Sequence, residues 1–319
     1  MADAPPLWVS LSASAVRALP FGRYRATNFL GRLGRKPFVA RLPADLGAAT
    51  FYCDLRDTIS REACFTGRYE PQETVLATRI LEPGMTVLDV GANWGYFTLV
   101  CAHLIGTTGR LVALEPHPRL ASILRENVRA NELAQVRVLE VGAAATTGVA
   151  SFIDYPQDGG NLGLSRMAET TEGADFSGVT VALDDLLDQV VRAENEPLAF
   201  GVVDLVKIDV EGTESDVLAG MARGLAARRY RYVLLECHPH ALTRRGESLE
   251  SCVEPPATAG YSGWLIDHSP SAHRRSAAGK ADVRDLLTPW PAAAKERPST
   301  ADTGWPHMLW VAPDARPLV

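Results

Sequence analysis

Short apolar runs alternate with helix-period stretches through the middle of the chain. Thr86–Val90 is one such run, followed by a glycine loop and a helical pattern from Phe97 to Ile105 that Gly109 ends. Leu111–Glu115 is a second run, with a helix over about Arg119–Asn131, and Val136–Val141 is a third. Val203–Asp209 and Tyr232–Glu236 continue the alternation, with a helix predicted over about Ser215–Ala227 between them. Trp264–Asp267 and His307–Ala312 read as closing strands, a terminal pair. The pattern predicts an α/β fold with a parallel sheet covered on both faces.

Before Glu82 the pattern differs. Residues 1–36 are rich in Ala, Leu and Arg and partly helical in period. Phe38–Leu42 and Thr50–Leu55 read as short strands separated by Pro43 and Gly47, and Pro71–Leu81 as a helix with proline near its start and Gly84 after its end. Residues 1–82 are therefore assigned to an N-terminal helical/β cap and residues 83–319 to the main domain. Two stretches interrupt the alternation. Ala150–Asp185 carries strand-like pieces (Ala150–Tyr155, Val179–Leu183) around a polar loop with Gly159, Gly160, Asn161 and Gly163. Pro270–Pro306 is rich in Pro, Ala, Ser and charge, and a loop of that length is usually a lid or binding segment.

Composition narrows the class of protein. The chain has 319 residues, 46% of them hydrophobic and 22% charged, with a net charge of −6. That length allows one full-size α/β domain with an appendage and a core able to close a small-molecule site from water. The acidic balance argues against a nucleic-acid partner, and the basic N-terminal set (Arg17, Arg23, Arg25, Arg32, Arg35, Lys36, Arg41) reads as a solvated face. The five cysteines form no C-x-x-C pair, which predicts free thiols in a reducing compartment. No apolar run approaches the ~20 residues of a membrane span, and Met-Ala-Asp-Ala-Pro-Pro does not resemble a signal peptide. The expected location is cytoplasmic, with a small-molecule acceptor, no nucleic-acid or membrane partner, and a homodimer as a compatible state.

The loop Asp89-Val-Gly-Ala-Asn-Trp-Gly-Tyr lies between a strand and a helix, where α/β sheets bind cofactors. Gly91 permits an unusual turn and Gly95 close helix packing. The dinucleotide fingerprint would need glycines at 93 and 96, where the chain has Asn93 and Tyr96, so nicotinamide binding is disfavoured. S-adenosylmethionine carries a sulfonium, an amino acid group and a ribose but no phosphate. Asp89 can meet its ammonium end, and Glu115 can accept hydrogen bonds from both ribose hydroxyls. Each has a plainer reading, Asp89 as a cap and Glu115 as an exposed strand end. The expected cofactor contacts are Asp89, Gly91, Asn93, Gly95, Tyr96, Phe97, Glu115, Pro116, Ala143 and Asp209.

The run Val203-Asp-Leu-Val-Lys-Ile-Asp-Val-Glu-Gly-Thr-Glu places Lys207, Asp209 and Glu211 at every second position, on one face of a strand. Three ionisable groups there are costly unless paired or functional. The plainer reading is an ion pair with Lys207 that orders the loop. Thr213 and Asp216 read as a helix N-cap with an acidic third position, and Glu214 is left without a role. Glu236, His238 and His240 alternate at the next strand end, with Pro239 ending the strand. His238 and Asp209 are the candidate bases, with Lys207, Glu211 and Glu236 in the same catalytic set. The acidic groups could hold a divalent cation, but no spacing is diagnostic and no metal ligand is assigned.

These residues resemble the FkbM family of S-adenosylmethionine-dependent methyltransferases. The matching elements are Phe65-Thr-Gly-Arg-Tyr-Glu-Pro, Val87-Leu-Asp-Val-Gly-Ala-Asn-Trp-Gly-Tyr-Phe-Thr, Ala182-Leu-Asp-Asp-Leu-Leu, Val206-Lys-Ile-Asp-Val-Glu-Gly-Thr-Glu and Leu234-Leu-Glu-Cys-His. They cover roughly residues 65–240, and the lysine-to-glutamate run is the most specific. Trp94 and Thr213 depart mildly from the family pattern, and the residues after about 268 match nothing in it. The resemblance implies a Rossmann-like class I methyltransferase sheet of seven mostly parallel strands, antiparallel near the C-terminus. It also implies O-methylation of a hydroxyl on a sugar, macrolide or other natural product, with S-adenosylhomocysteine as product. The alternatives are carboxyl or N-methylation, a nicotinamide oxidoreductase, and a binding protein that has lost catalysis.

Overall fold

The computed structural model describes residues 4–19, 22–34, 36–154, 165–168, 172–188, 192–193, 196–197, 201–290 and 305–318. The N-terminal part forms α1 (Leu7–Ala18), α2 (Arg23–Gly31), an antiparallel pair of β1 (Phe38–Arg41) and β2 (Thr50–Cys53), α3 (Thr58–Thr66) and α4 (Pro71–Ile80). α3 starts where the Asp57 side chain accepts the Ser60 N–H. α4 starts on Pro71, whose missing N–H would be unbonded in the first turn anyway.

β3 (Thr86–Val90), α5 (Tyr96–Ile105), β4 (Arg110–Leu114), α6 (Pro118–Ala130) and β5 (Val136–Leu139) follow. A small sheet comes next, built from β6 (Gly142–Ala143), β7 (Gly148–Asp154), β8 (Ser165–Met167) and β9 (Phe176–Val181) in the order β6-β9-β7-β8. α7 (Leu183–Asp188) and the short pair β10 (Arg192–Ala193) and β11 (Glu196–Pro197) lead to β12 (Val203–Ile208). Then come α8 (Glu214–Ala219), α9 (Ala222–Ala226), β13 (Tyr230–Glu236), α10 (Pro239–Arg244), β14 (Ser262–Ile266), β15 (Leu287–Pro289) and β16 (His307–Val311).

The main sheet runs β15-β14-β16-β13-β12-β3-β4-β5. The pairs among β5, β4, β3, β12 and β13 are parallel, whereas β16 is antiparallel to β13 and to β14. Side chains of the central strands alternate between two cores. Val87, Leu111, Ala113 and Leu205 enter one with Phe51 and Leu99, while Leu88, Val90, Val112, Val206 and Ile208 enter the other. Burial on both faces explains why these strands read as unbroken apolar runs. The N-terminal part meets α6 through asparagine side chains: Asn127 Oδ1 accepts the Tyr52 N–H at 2.8 Å and Asn131 Oδ1 the Thr50 N–H at 2.8 Å.

The sheet has eight strands where seven were expected. The extra one is β15, a three-residue edge ending on Pro289, whose lack of an N–H is tolerated at an edge. It pairs with β14 and separates β14 and β16 from a simple closing hairpin. Pro270–Pro306 is accordingly not one long loop: Ser269 caps a helix over Pro270–Ala277, and β15 follows. Residues 291–304 and the loop of Gly159, Gly160, Asn161 and Gly163 lie outside the described residues. The helix expected over Ser215–Ala227 is split into α8 and α9. A side chain at Gly220 would overlap the Ala144 carbonyl, and the Gly220 carbonyl accepts the Asp184 N–H at 2.9 Å. That close approach fixes the break. Among the described residues no helix is long and apolar enough to cross a membrane.

Candidate active site

The carboxyl ends of β3, β4, β12 and β13 meet at one rim. After β3, Gly91 (φ +80°), Asn93 (φ +53°) and Gly95 (φ +99°) all adopt left-handed conformations. A side chain at Gly91 would overlap the Asp209 carbonyl, so this turn is pressed against the end of β12. The Gly91 and Ala92 N–H groups both donate to the Leu114 carbonyl at 3.0 Å. Glu115, just past β4, accepts the Asn93 N–H at 2.8 Å and the His117 N–H at 2.9 Å. Burial pushes its carboxyl up to about 7, against those two backbone hydrogen bonds. Asp89 is buried and accepts the Thr98 hydroxyl at 2.5 Å. Its burial, opposed first by Lys207, pushes it up to about 6.

Trp94 and Tyr96 are turned toward the cap: Trp94 stacks on Phe51 at 4.9 Å, and the Tyr96 hydroxyl lies 3.4 Å from Thr74 Oγ1. Phe97 faces the centre of the rim, with Lys207 Nζ 5.6 Å from its ring. Pro116 lies in contact distance of Gly142, beside the buried Ala143 of β6.

The charged run does not continue as a strand. β12 ends at Ile208, and Glu211 (φ +56°) and Gly212 (φ +110°) turn the chain. The expected every-second-residue face therefore stops at Lys207, but a tighter group replaces it. Lys207 Nζ lies 3.2 Å from Asp209 Oδ2 and 3.5 Å from Glu70 Oε2. Burial works against the lysine's charge, but Asp209, Glu70 and Glu236 outweigh it and hold Lys207 above its ordinary value. Burial likewise raises Asp209, and Lys207 and His238 bring it below the usual carboxylate range.

Thr213 does occupy the N-cap position of α8, with Asp216 in the first turn, but not as a side-chain cap. Its side chain makes no capping bond and its hydroxyl donates to the Val210 carbonyl at 3.4 Å, while Asp216 binds Arg245 at 2.7 Å. Glu214 takes over the local donors instead. Fully buried, its Oε1 accepts the Gly212 N–H at 2.9 Å and His238 Nδ1–H at 2.6 Å.

β13 delivers Glu236 as its last residue, and His238 sits at the start of α10. His238 Nε2 lies 3.5 Å from Glu211 Oε2 and 3.7 Å from Glu236 Oε1. Burial lowers this histidine, but the Glu214 hydrogen bond and the charges of Asp209 and Glu211 raise it to about 10. Glu211 is pushed up to about 7 by burial and Asp209, against His238. Glu236 is held well above the carboxylate range by burial, Asp209 and Glu70. His240 is exposed on α10 and does not join the group.

A sequence profile described as the Methyltransferase FkbM domain matches residues 89–254, a span that holds the glycine loop, Glu115, the charged run and His238. The chain belongs to the FkbM methyltransferase family. It is 32% identical over 177 residues to the 31-O-demethyl-FK506 methyltransferase FkbM of Streptomyces tacrolimicus, covering 50% of this chain and 67% of that protein. It is 30% identical over 185 residues to the AMB antimetabolite synthetase AmbE of Pseudomonas aeruginosa, covering 50% of this chain but spanning only 9% of AmbE. Among solved structures, the methyltransferase FkbM from Methylobacillus flagellatus is 16% identical with a TM-score of 0.38, over 77% of this chain and 56% of that one.

S-adenosylmethionine is the cofactor of this FkbM-type domain, and the rim fits it. Glu115 is buried with each oxygen used by one backbone N–H, which leaves lone pairs for the ribose hydroxyls. The carboxylates of Asp89, Asp209 and Glu70 outnumber the Lys207 charge, which suits a cationic sulfonium and ammonium.

Three His/carboxylate groups have ligand atoms within 4.8 Å of one another: Asp209–Glu211–His238, Glu70–Asp209–Glu236 and Glu73–His268–His307. Lys207 already bridges Glu70 and Asp209 in the second. In the third, the imidazoles stack at 3.9 Å, and His268 Nε2 and His307 Nδ1 both meet Glu73 Oε1, at 2.6 and 2.9 Å, so the group is already closed by its own contacts.

Glu70, Glu73, His268 and His307 are site residues that the sequence pattern did not reveal. Glu70 lies within the family run ending at Pro71, which was its available signal. The other three come from α4, the segment after β14 and β16, and meet only in the folded chain.

Proposed function

We propose that the chain is an S-adenosylmethionine-dependent O-methyltransferase acting on a hydroxyl of a small natural product or sugar, with residues 1–82 as a cap over the domain of residues 83–319. The observation that carries this reading is the Glu211 carboxylate at the rim: its Oε2 lies 3.5 Å from His238 Nε2, and burial and Asp209 raise the group to about 7. A hydroxyl needs its proton removed as it attacks, and a base is most effective near the working pH. An anionic carboxylate acceptor would need no base and would meet Glu70, Asp209, Glu211 and Glu236. The name of the Streptomyces tacrolimicus relative, which records an O-demethylated acceptor, points the same way.

When bound, S-adenosylmethionine supplies an electrophilic methyl carbon on its sulfonium. Glu115 and the left-handed turn at Gly91–Gly95 would hold the ribose side, and Asp89 with Asp209 would meet the cationic end. Glu211 would take the proton that the acceptor hydroxyl loses as it accepts the methyl group. His238, protonated against Glu214, faces Glu211 and keeps its carboxyl from rising further. This geometry favours Glu211 over His238 and over the lysine-paired Asp209 as the proton acceptor.

Glu211→Gln should lower turnover by about 10²–10⁴-fold while S-adenosylmethionine binds as in the wild type. Wild-type turnover should climb as pH passes through about 7. Undiminished turnover in Glu211→Gln would remove this residue from the role.

A further inference from the structure

His307 opens β16 directly opposite Glu236 in the strand register. Its Nδ1–H donates to Glu73 Oε1 at 2.9 Å, and its Nε2 lies 3.6 Å from Glu236 Oε1. On the other flank, His238 Nδ1–H donates to Glu214 Oε1 at 2.6 Å, and its Nε2 lies 3.7 Å from the same Glu236 oxygen. Glu236 therefore sits between two imidazoles, each anchored at its far nitrogen by a glutamate that is at most 1% exposed. The Glu236 side chain is itself 9% exposed, and its other oxygen, Oε2, is buried without a hydrogen-bond partner.

We propose that Glu73–His307 and Glu214–His238 are paired positioning dyads that clamp Glu236 from both sides, so that its free Oε2 receives a hydroxyl of the acceptor. A carboxyl that keeps its proton, as burial makes Glu236 do, offers both an O–H donor and acceptor lone pairs to a hydroxyl. Two ring nitrogens within 3.7 Å of Oε1 flank that oxygen and leave Oε2 as the unpaired one. Buried acceptors are rarely left unpaired, because each costs about 1–3 kcal/mol, so a ligand hydroxyl is the natural partner. The gaps of 3.6 and 3.7 Å are long for hydrogen bonds, as apo sites often are before the ligand tightens them. Glu73 and His307 lie outside the 89–254 span of the FkbM domain. The cap helix α4 and the last strand thus complete a site whose other half is in the motif region.

The charged and titratable groups around the clamp come from every packed element. Glu70 and Glu73 come from the start of α4, Lys207 and Asp209 from β12 and its end, Glu211 and Glu214 from the turn into α8, and His268 stacks on His307. Trp305 lies 5.5 Å from the His238 ring. Burial lowers His307, but Glu73 and Glu70 raise it overall.

The acceptor role of Oε2 rests on the O-methyltransfer reading, whereas the clamp does not, and the two are tested separately. The clamp is read by imidazole nitrogen NMR on the full chain without ligands. Glu236→Gln should shift the Nε2 signals of His238 and His307 together. An unmoved His307 would overturn the clamp, whether or not any hydroxyl is methylated. The acceptor role is read by kinetics. His307→Ala should raise the acceptor KM by about 2–12-fold, the loss of one hydrogen bond between uncharged groups, with S-adenosylmethionine affinity unchanged. Glu73→Gln, which keeps an acceptor for Nδ1, should preserve most of the KM that Glu73→Ala loses. Equal losses in both variants, or parallel loss of S-adenosylmethionine affinity, would reduce Glu73 and His307 to a structural role.

Discussion

Replacing Glu115 by Gln tests the cofactor half of the site. The carboxylate accepts the Asn93 N–H at 2.8 Å and the His117 N–H at 2.9 Å, and it is 5% exposed. A glutamine has one carbonyl oxygen, so it can keep one of these bonds and must turn its NH₂ toward the other N–H. One buried donor is then unpaired, at a cost of about 1–3 kcal/mol. The lost charge also removes an acceptor for the ribose hydroxyls. If that cost falls on the bound state, S-adenosylmethionine affinity drops by about 5–150-fold. The wild type adds a second signature. Glu115 is pushed up to about 7, and the bound ribose favours its ionised form. Affinity should therefore rise with pH through about 7 in the wild type, and this slope should vanish in the variant. Calorimetric titration with S-adenosylmethionine between pH 6 and 8.5 measures both. A variant that binds within about twofold of the wild type and keeps the same pH slope would refute the assignment.

Two further outcomes follow from the same geometry. Gly91→Ala places a methyl against the Asp209 carbonyl at φ +80°, so it should destabilise the fold by more than about 1 kcal/mol in denaturant unfolding and weaken S-adenosylmethionine binding. His238 has a folded pKa of about 10, raised above the ordinary value near 6.5, so its contribution is complete below about 6.5 and is lost as pH rises toward 10. That contribution is at most about 5 kcal/mol, from 1.36 kcal/mol per pH unit. Tm of the ligand-free protein should fall across this window, and His238→Gln should flatten the fall. An equally steep fall in the variant would assign the slope to other groups.

Much of the site was legible because its parts are local. The loop from Asp89 to Tyr96 lies within eight residues, and its left-handed turns need residues that the sequence displays, glycine at 91 and 95 and asparagine at 93. Lys207 and Asp209 are neighbours in sequence and remain so in space. Glu214 was visible but had no assignable partner, because His238 lies 24 residues away and meets it only when β12 and β13 align. The Glu73–His307 contact joins α4 to the last strand, and no periodicity predicts it. The split between α8 and α9 depends on Gly220 touching Ala144, and β15 on an edge strand only three residues long that ends in proline. Local pattern is weakest for such tertiary contacts, whereas the parallel core strands were plain from their apolar runs.

The most direct test of the central claim is to incubate the full chain with methyl-labelled S-adenosylmethionine and a panel of glycosides, macrolides, carboxylic acids and amines, then to treat the labelled products with mild alkali. Label is expected on a hydroxylated acceptor as an alkali-stable methyl ether, formed by the wild type and greatly reduced in Glu211→Gln. Label released as methanol, or found only on nitrogen, would contradict hydroxyl methylation.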